Sequence, residues 1–238
     1  ARAPGPPDTR RARASHPSPV LSENRAERVR QPVSIKHPVA PDRHGRKPLE
    51  WSCDELEGRS LSLEWLETDG LGGFACGTVG GPRTRRYHGW YVPAIPPPRR
   101  RWMMVSGCEE FVTARGATDG ISSQIYRDAT AADGMRNLAS FRLEPFPTWR
   151  HETETFAIDR SLCLVRDRSF TIVRYVNRGS SEITLRVRPL LALRGSHRLQ
   201  HESPDWDPSL GIRGETSWVR PLPYLPRLSR RGAFAATR

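Results

Sequence analysis

The chain has 238 residues, of which 36% are hydrophobic and 22 are prolines, and its formal net charge is +12. This length suits one ordinary domain with extended tails. No apolar run reaches the ~18 residues of a membrane-spanning helix, and the N-terminal residues lack the apolar core of a signal peptide. These features argue against a membrane partner and against secretion, and we expect a cytoplasmic protein.

Residues 1–50 differ in composition from the rest of the chain. They contain nine prolines and no aromatic residue, so they offer little apolar surface to bury. We expect a disordered, arginine- and proline-rich tail over 1–50, with the ordered domain beginning near Leu61.

The positive charge is concentrated at the two ends of the chain. Residues 1–50 hold eleven basic and five acidic residues, residues 211–238 hold six and one, and residues 51–210 hold 21 and 20. Nucleic-acid binding requires basic charge on one folded face. The nearly neutral middle region therefore argues against a nucleic-acid partner.

From residue 60 onward, short segments rich in β-branched and aromatic residues are separated by turn residues, which predicts strands. The predicted strands cover residues 87–95, 102–113, 121–127, 138–143, 148–158, 161–166, 169–177 and 181–193. Many short strands with frequent turns predict an all-β fold, an antiparallel β-sandwich.

The clearest predicted strand pair joins "SFTIVRYV" to "SEITLRVRPLLAL" through the turn "NRGS". In the second segment, residues 183, 185 and 187 are apolar and residues 184, 186 and 188 are polar. This alternation predicts a strand with one buried and one solvent-exposed face.

Residues 64–92, "EWLETDGLGGFACGTVGGPRTRRYHGWYV", hold seven of the nineteen glycines. Gly70, Gly72 and Ala75 fit a dinucleotide-binding fingerprint, but "CGTVGGP" cannot begin the helix which that motif requires. A phosphate-binding P-loop is also disfavoured, because no lysine follows Gly77. The glycines instead predict a hairpin or bulge with positive φ angles and close backbone packing.

The same stretch resembles the opening motif of the N-terminal domain of bacterial and archaeal glycogen debranching enzymes, W-L-x-T-N-G-L-G-G-[YF]-A-[SC]-G-T-x-x-G-x-x-T-R-R-Y-H-G-L-L-V. Asp69 replaces the usual asparagine, and Trp90 with Tyr91 replaces a leucine pair. Weaker resemblance continues through "LASFRLEPFPTWRHE" and "VRPLLALRGSHRL", so that it covers residues 60–228. The matching motif positions are Trp65, Leu66, Thr68, 70–75, Gly77, Thr78, Gly81, 84–89 and Val92.

This resemblance implies an amylo-α-1,6-glucosidase, which hydrolyses α-1,6-linked glucose at the branch points of glycogen. In this family an N-terminal supersandwich packs against an (α/α)6 domain that carries the catalytic acids. Residues 229–238 do not resemble the family's continuation, and the first 20 residues have no counterpart. We therefore expect a fragment whose partners are a glycogen-like branched α-glucan and an (α/α)6 catalytic domain, and which needs no cofactor.

Two acidic pairs are candidates for the two carboxyl groups that glycoside hydrolysis uses. Glu109 and Glu110 are adjacent on a predicted strand, so their side chains point to opposite faces. Asp205 and Asp207 lie in a proline-rich loop, where a solvated or turn-forming role is favoured. We therefore expect no catalytic residue in this chain.

The segment "RTRRYHG" and the residues after it form the candidate substrate-binding or interdomain site. Arginine and imidazole groups can donate to sugar hydroxyls, and Tyr87, Trp90 and Trp206 can stack on a sugar face. Alternatively, the cluster holds the sandwich to the catalytic domain, because arginine is preferred at polar interfaces. The candidate residues are Arg85, Arg86, Tyr87, His88 and Trp90.

In either role we expect Arg85, Arg86 and His88 to project towards the neighbouring domain. His88 has no partner at a metal-ligand spacing, so no metal is expected. A second hypothesis is a stand-alone carbohydrate-binding or interaction sandwich without catalysis.

Overall fold

The computed structural model describes residues 49–96, 100–126, 129–131, 133–201 and 204–232, all within one compact unit. The tail expected over 1–50 lies outside the described residues except for Leu49 and Glu50, and residues 233–238 lie outside them too. Two short helical elements are α1 (Cys53–Leu56) and a 3-10 turn (Gly134–Asn137).

The remaining regular structure consists of antiparallel strands. The first nine are β1 (Glu50–Ser52), β2 (Glu64–Thr68), β3 (Phe74–Thr78), β4 (Gly89–Val92), β5 (Ala94–Ile95), β6 (Arg100–Ala114), β7 (Ala117–Gly120), β8 (Gln124–Tyr126) and β9 (Ala129–Ala131). The others are β10 (Leu138–Arg142), β11 (Thr148–Glu152), β12 (Ala157–Leu164), β13 (Thr171–Asn177), β14 (Thr184–Gly195), β15 (Leu210–Arg213), β16 (Thr216–Val219) and β17 (Leu228–Arg231).

Two large sheets form the body of the domain. The first sheet has the order β1-β10-β11-β12-β13, and the second has the order β14-β6-β4-β3-β2 with β5 and β7 also paired to β6. Smaller sheets are β15-β16-β17 and β8-β9. The predicted all-β antiparallel fold is confirmed.

Apolar side chains from both large sheets meet in one layer, which makes the fold a sandwich. Trp65 and Ala75 of the second sheet share a buried cluster with Phe141, Trp149 and Leu162 of the first. The Trp65 and Trp149 rings meet edge to face, with centroids 5.2 Å apart. Edge-to-face contact is one of the geometries that aromatic pairs prefer, so this contact helps to fix how the two sheets face each other.

The predicted segment 148–158 contains two strands rather than one. β11 ends at Glu152 because a turn follows, in which the Thr153 hydroxyl accepts hydrogen bonds from the backbone N–H groups of Thr155 (3.2 Å) and Phe156 (3.3 Å). Threonine competes for backbone donors in this way at turns. The chain then reverses into β12, which pairs with β11.

The prediction that the segments on either side of "NRGS" pair with each other is wrong. The turn does form, because the Asn177 side chain accepts from Gly179 N–H (3.0 Å) and donates to the Ser181 carbonyl (2.7 Å). However, β13 pairs with β12 in the first sheet, whereas β14 pairs with β6 in the second. Tyr175 of β13 and Leu185 of β14 both pack against the core between the sheets, so the strands face each other across the sandwich.

The alternation predicted for β14 is confirmed. Leu185 and Val187 are half-buried, whereas Thr184, Arg186 and Arg188 are exposed.

Regular structure begins earlier than the expected Leu61. Strand β1 pairs with β10, and the Trp51 ring stacks on Phe141 with centroids 5.7 Å apart. The first sheet therefore extends to residues that sequence reasoning assigned to the region before the domain.

Candidate functional site

The glycine-rich stretch forms a β-hairpin, as predicted, in which β2 pairs with β3. Gly70 and Gly72 in its loop have φ angles of +80° and +92°, which side chains rarely adopt. The β3 pairing with β4 is shifted in register between Phe74 and Cys76. The loop conformation therefore depends on glycine at positions 70 and 72.

Asp69 organises the hairpin loop from the inside. Its side chain is 1% exposed, and Oδ1 accepts hydrogen bonds from the N–H groups of Leu71 (2.8 Å) and Gly73 (2.9 Å). Its backbone carbonyl accepts from Asp167 N–H (2.7 Å), which ties the loop to the β12–β13 turn. An asparagine has the same acceptor oxygen, so the aspartate can replace it without losing the loop geometry.

His88 is buried and holds the arginine-rich segment in place. Its Nδ1 accepts from the N–H groups of Thr84 (3.2 Å) and Arg85 (3.3 Å), so the ring proton belongs on Nε2, which lies 3.3 Å from a Glu64 carboxylate oxygen. The side chain is only 2% exposed. Whereas His88 was expected to project outward, it faces the interior and shapes the loop that carries the arginines.

Arg85, Arg86 and Tyr87 form the exposed part of the candidate site, and we call these three residues the outer cluster. Arg85 Nε donates to Glu64 at 2.5 Å, and Arg86 Nη1 donates to the His197 carbonyl at 3.0 Å. The Tyr87 ring meets the His197 ring edge to face at 5.6 Å. Contacts to β2 and to His197, which follows β14, thus hold the outer cluster while leaving it accessible.

Trp90 lies away from the outer cluster, against a buried charged group between the sheets. The Arg160 guanidinium lies over Trp90 at 5.0 Å and over Trp149 at 4.4 Å, and its Nη1 donates to Glu110 at 2.6 Å. The Tyr175 hydroxyl donates to the other Glu110 oxygen. We call Glu110, Arg160 and Tyr175 the inner cluster, which links strands of both sheets.

The adjacent acids Glu109 and Glu110 do point to opposite faces. Glu110 is fully buried within the inner cluster, whereas Glu109 accepts from Arg188, whose side chain is 72% exposed. Asp207 forms a turn, because its Oδ1 accepts from Ser209 N–H at 2.9 Å. Hydrogen bonding to the Ser209 side chain and then to its N–H lowers the pKa of the Asp207 carboxyl group. Trp206, the remaining stacking candidate, is half-buried.

Sequence reasoning missed the inner cluster, although the sequence contains a signal for it. Arg160 has the same strand phase as the buried Ile158 and Leu162, and Glu110 has the same phase as the buried Val112. A charged residue on the apolar phase of each of two strands indicates a buried ion pair.

Acidification is expected to destabilise the domain through His88 and His151. Burial is the main cause that lowers the pKa of both, and for His151 the neighbouring Arg160 cation lowers it further. The unfolded chain takes up these protons below about pH 6.5 while the folded domain does not, so stability is present above that pH and is lost below it. A histidine that stays neutral in the folded domain over this range contributes a slope of up to about 1.4 kcal/mol per pH unit, and His151, whose pKa is lowered furthest, is expected to contribute more than His88.

Urea unfolding between pH 7 and pH 5 measures this slope. In the His151→Leu variant, the free energy of unfolding should depend less steeply on pH, by the contribution of this one histidine. An unchanged slope in that variant would contradict the assignment.

Several other features bear on the chemistry of the described residues. The four cysteines are free thiols. In the described part of the chain, no three His, Cys, Asp or Glu side chains are grouped so that they could hold a metal ion. None of its helices has the length and apolar character to cross a membrane.

Comparison with known proteins places this hairpin and cluster in a family. No curated protein and no solved structure matches the chain. The family model described as glycogen debranching enzyme N terminal matches residues 63–228, a range that includes the glycine hairpin, the outer cluster and most of both sheets. The chain belongs to the family of glycogen debranching enzyme N-terminal domains.

Proposed function

We propose that this chain is the substrate-side domain of a glycogen debranching enzyme, which acts on α-1,6 branch points together with an (α/α)6 domain that supplies the catalytic carboxylates. The family match over residues 63–228 carries this proposal. Glycogen or a related branched α-glucan is then the ligand, and the cytoplasm is the compartment.

The engagement of the acidic side chains supports a non-catalytic role for this domain. Glu110 is bound by Arg160 and Tyr175, and Asp159 is bound by Arg150 and Arg178, both at 2.8 Å. Inverting glycosidases need two carboxyl groups about 6.5–9.5 Å apart across a bound sugar, and retaining enzymes about 5–5.5 Å. Carboxylates that are neutralised by arginines within the sheets do not suit that task.

The outer cluster is the part of this domain that meets substrate or the catalytic domain. Its guanidinium groups and phenol are exposed, fixed by contacts to Glu64 and His197, and able to donate to sugar hydroxyls or to backbone carbonyls of a partner. His88 and Trp90 act indirectly in this scheme. His88 shapes the loop, and Trp90 packs against Arg160.

Kinetics of a full-length family member test the proposal. Alanine at the position of Arg86 should lower kcat/KM for a branched limit dextrin by about tenfold, the effect of losing one or two charge-assisted hydrogen bonds. The N-terminal domain should still fold, because Arg86 is exposed. Alanine at the position of Arg174, an exposed arginine on β13, is the matched control and should change kcat/KM less than twofold.

The change in KM and kcat distinguishes the two roles of the outer cluster. A sugar contact predicts that the Arg86 change acts mainly on substrate binding, whereas a docking contact predicts that it weakens association of the two domains. Unchanged kinetics and unchanged domain association for alanine at Arg85, Arg86 and Tyr87 would reject the proposal.

A further inference from the structure

A small polar pocket opens between the two sheets. It lies beside the inner cluster and next to Arg83, the first residue of the arginine-rich segment. Its free volume is about 10 Å³, room for one group of the size of a water molecule. The lining residues that matter are Arg83, Trp90, Gln124, Arg160, Ser122 and Ser123.

Three buried polar atoms on this lining lack a hydrogen-bond partner within the described part of the chain. They are Nη1 of Arg83, Nε of Arg160 and Oε1 of Gln124. Arg160 is 3% exposed and Gln124 is 4% exposed. A buried polar atom without a partner costs about 1–3 kcal/mol, so three on the walls of one pocket call for a hydrogen-bonding group there, either a water molecule or a group of a ligand.

The pocket walls are held by other contacts, so the Gln124 and Arg160 atoms cannot easily turn away. Gln124 Nε2 donates to the Cys108 carbonyl at 3.4 Å, which orients Oε1 as the unpartnered atom. The hydroxyl oxygens of Ser122 and Ser123 accept from the N–H groups of Glu110 (2.9 Å) and Met135 (2.7 Å). Arg160 is fixed by Glu110 and by the two tryptophan rings.

Burial also dominates the electrostatics of the pocket. It raises the pKa of the Cys108 thiol to about 12, with Glu110 acting in the same direction. It lowers the pKa of the Arg83 guanidinium, while Tyr126 and Glu109 act in the opposite direction. Hydrogen bonds inside such a site are stronger than in water, and the absence of one is correspondingly more costly.

The donors and the acceptor together select the chemistry of the ligand. Two guanidinium N–H groups require an acceptor, and the Gln124 carbonyl requires a donor. A carboxylate or phosphate oxygen would face the Gln124 oxygen without a proton to give it, and a cation would be repelled by Arg83 and Arg160. A hydroxyl group satisfies all three, because it accepts twice and donates once.

We propose that this pocket is a subsite for one hydroxyl group of an α-glucan, bound by Arg83, Gln124 and Arg160 next to the Trp90 indole. That the hydroxyl belongs to an α-glucan rests on the proposed function. That the bound group is a neutral hydroxyl rests on the three unpartnered atoms of Arg83, Gln124 and Arg160. This subsite is separate from the outer cluster, since none of Arg85, Arg86 and Tyr87 lines it.

Calorimetric titration of the 238-residue chain with maltotriose tests the subsite. Arg83→Met and Gln124→Met each remove one pocket partner at similar side-chain size, and each should raise the Kd at least about tenfold. Ser106→Ala is the matched control, because Ser106 lines the pocket but its hydroxyl already donates to the Leu190 carbonyl at 3.0 Å. This control should keep the Kd within twofold, and thermal unfolding should confirm that all three variants fold.

Two results would overturn the inference: wild-type chain that binds no maltotriose, or maltotriose binding that neither Arg83→Met nor Gln124→Met weakens, as for a pocket that holds only water. The kinetics of the Arg86 variant test only the outer cluster, and the maltotriose titration tests only the subsite. Either prediction can therefore prove wrong while the other is confirmed. A tenfold loss confined to the two pocket variants would support the subsite alone.

Discussion

Replacing Glu110 with leucine is expected to lower the free energy of unfolding by about 3–5 kcal/mol, the cost of removing one partner from a buried ion pair. Glu110 is fully buried, and both of its oxygens accept hydrogen bonds, one from Arg160 and one from Tyr175. The substitution leaves the Arg160 cation between two tryptophan rings with no carboxylate. Chemical denaturation of the purified chain measures the loss.

The neighbouring residue provides the matched control. Glu109→Leu removes a carboxylate that is itself buried but whose partner, Arg188, is 72% exposed, so the cation left behind keeps its contact with water and we expect a smaller loss than for Glu110→Leu. The double variant Glu110→Leu with Arg160→Met should regain part of the lost stability, because no buried charge then remains. Equal losses for Glu109→Leu and Glu110→Leu would contradict the assignment of the inner cluster as the link between the sheets.

Replacing Gly73 with alanine is expected to cost about 2–4 kcal/mol, through overpacking and loss of the Asp69 hydrogen bonds. A Cβ at Gly73 would lie 2.3 Å from Asp69 Oδ2 and 3.2 Å from the Pro93 Cα. Asp69 cannot move aside without breaking its bonds to the N–H groups of Leu71 and Gly73. Thermal and urea unfolding of the variant measure the effect.

Gly195 serves as the control for this prediction. A Cβ at Gly195 has no atom within 4 Å, and its φ angle is not in the positive region, so Gly195→Ala should change stability by less than about 0.5 kcal/mol. If Gly73→Ala were as stable as Gly195→Ala, the account of the glycine hairpin would be wrong.

Strands rich in β-branched and apolar residues could be predicted from the sequence. The segments 102–113, 169–177 and 181–193 contain most of β6, β13 and β14, and in the last of them the alternation of residues 183–188 also predicts which face is buried. The hairpin of β2 and β3 was predicted without strand bounds, because each strand has only five residues and the glycines between them have no side chains to show a pattern. Sheet membership could not be predicted, because the Asn177 turn fits both a hairpin and a crossing between sheets.

The candidate site was predictable in part. The outer cluster lies on an exposed loop of the family motif, where sequence reasoning placed it. The inward position of His88 depends on the hydrogen bonds that its ring accepts from two backbone N–H groups. No spacing in the sequence reveals those contacts. The pocket at Arg83 was missed, because its walls come from segments around residues 83, 106, 123 and 160 that only the folded sandwich brings together.

Glucose release from a glycogen limit dextrin by the purified 238-residue chain tests the central claim most directly. The proposed division of labour predicts no release, because Glu109 and Glu110 are bound by arginines, Asp207 forms a turn, and the catalytic pair is proposed to lie in the (α/α)6 domain. Measurable turnover that disappears when a carboxylate of this chain is replaced would contradict it and would place the catalytic centre within these sheets.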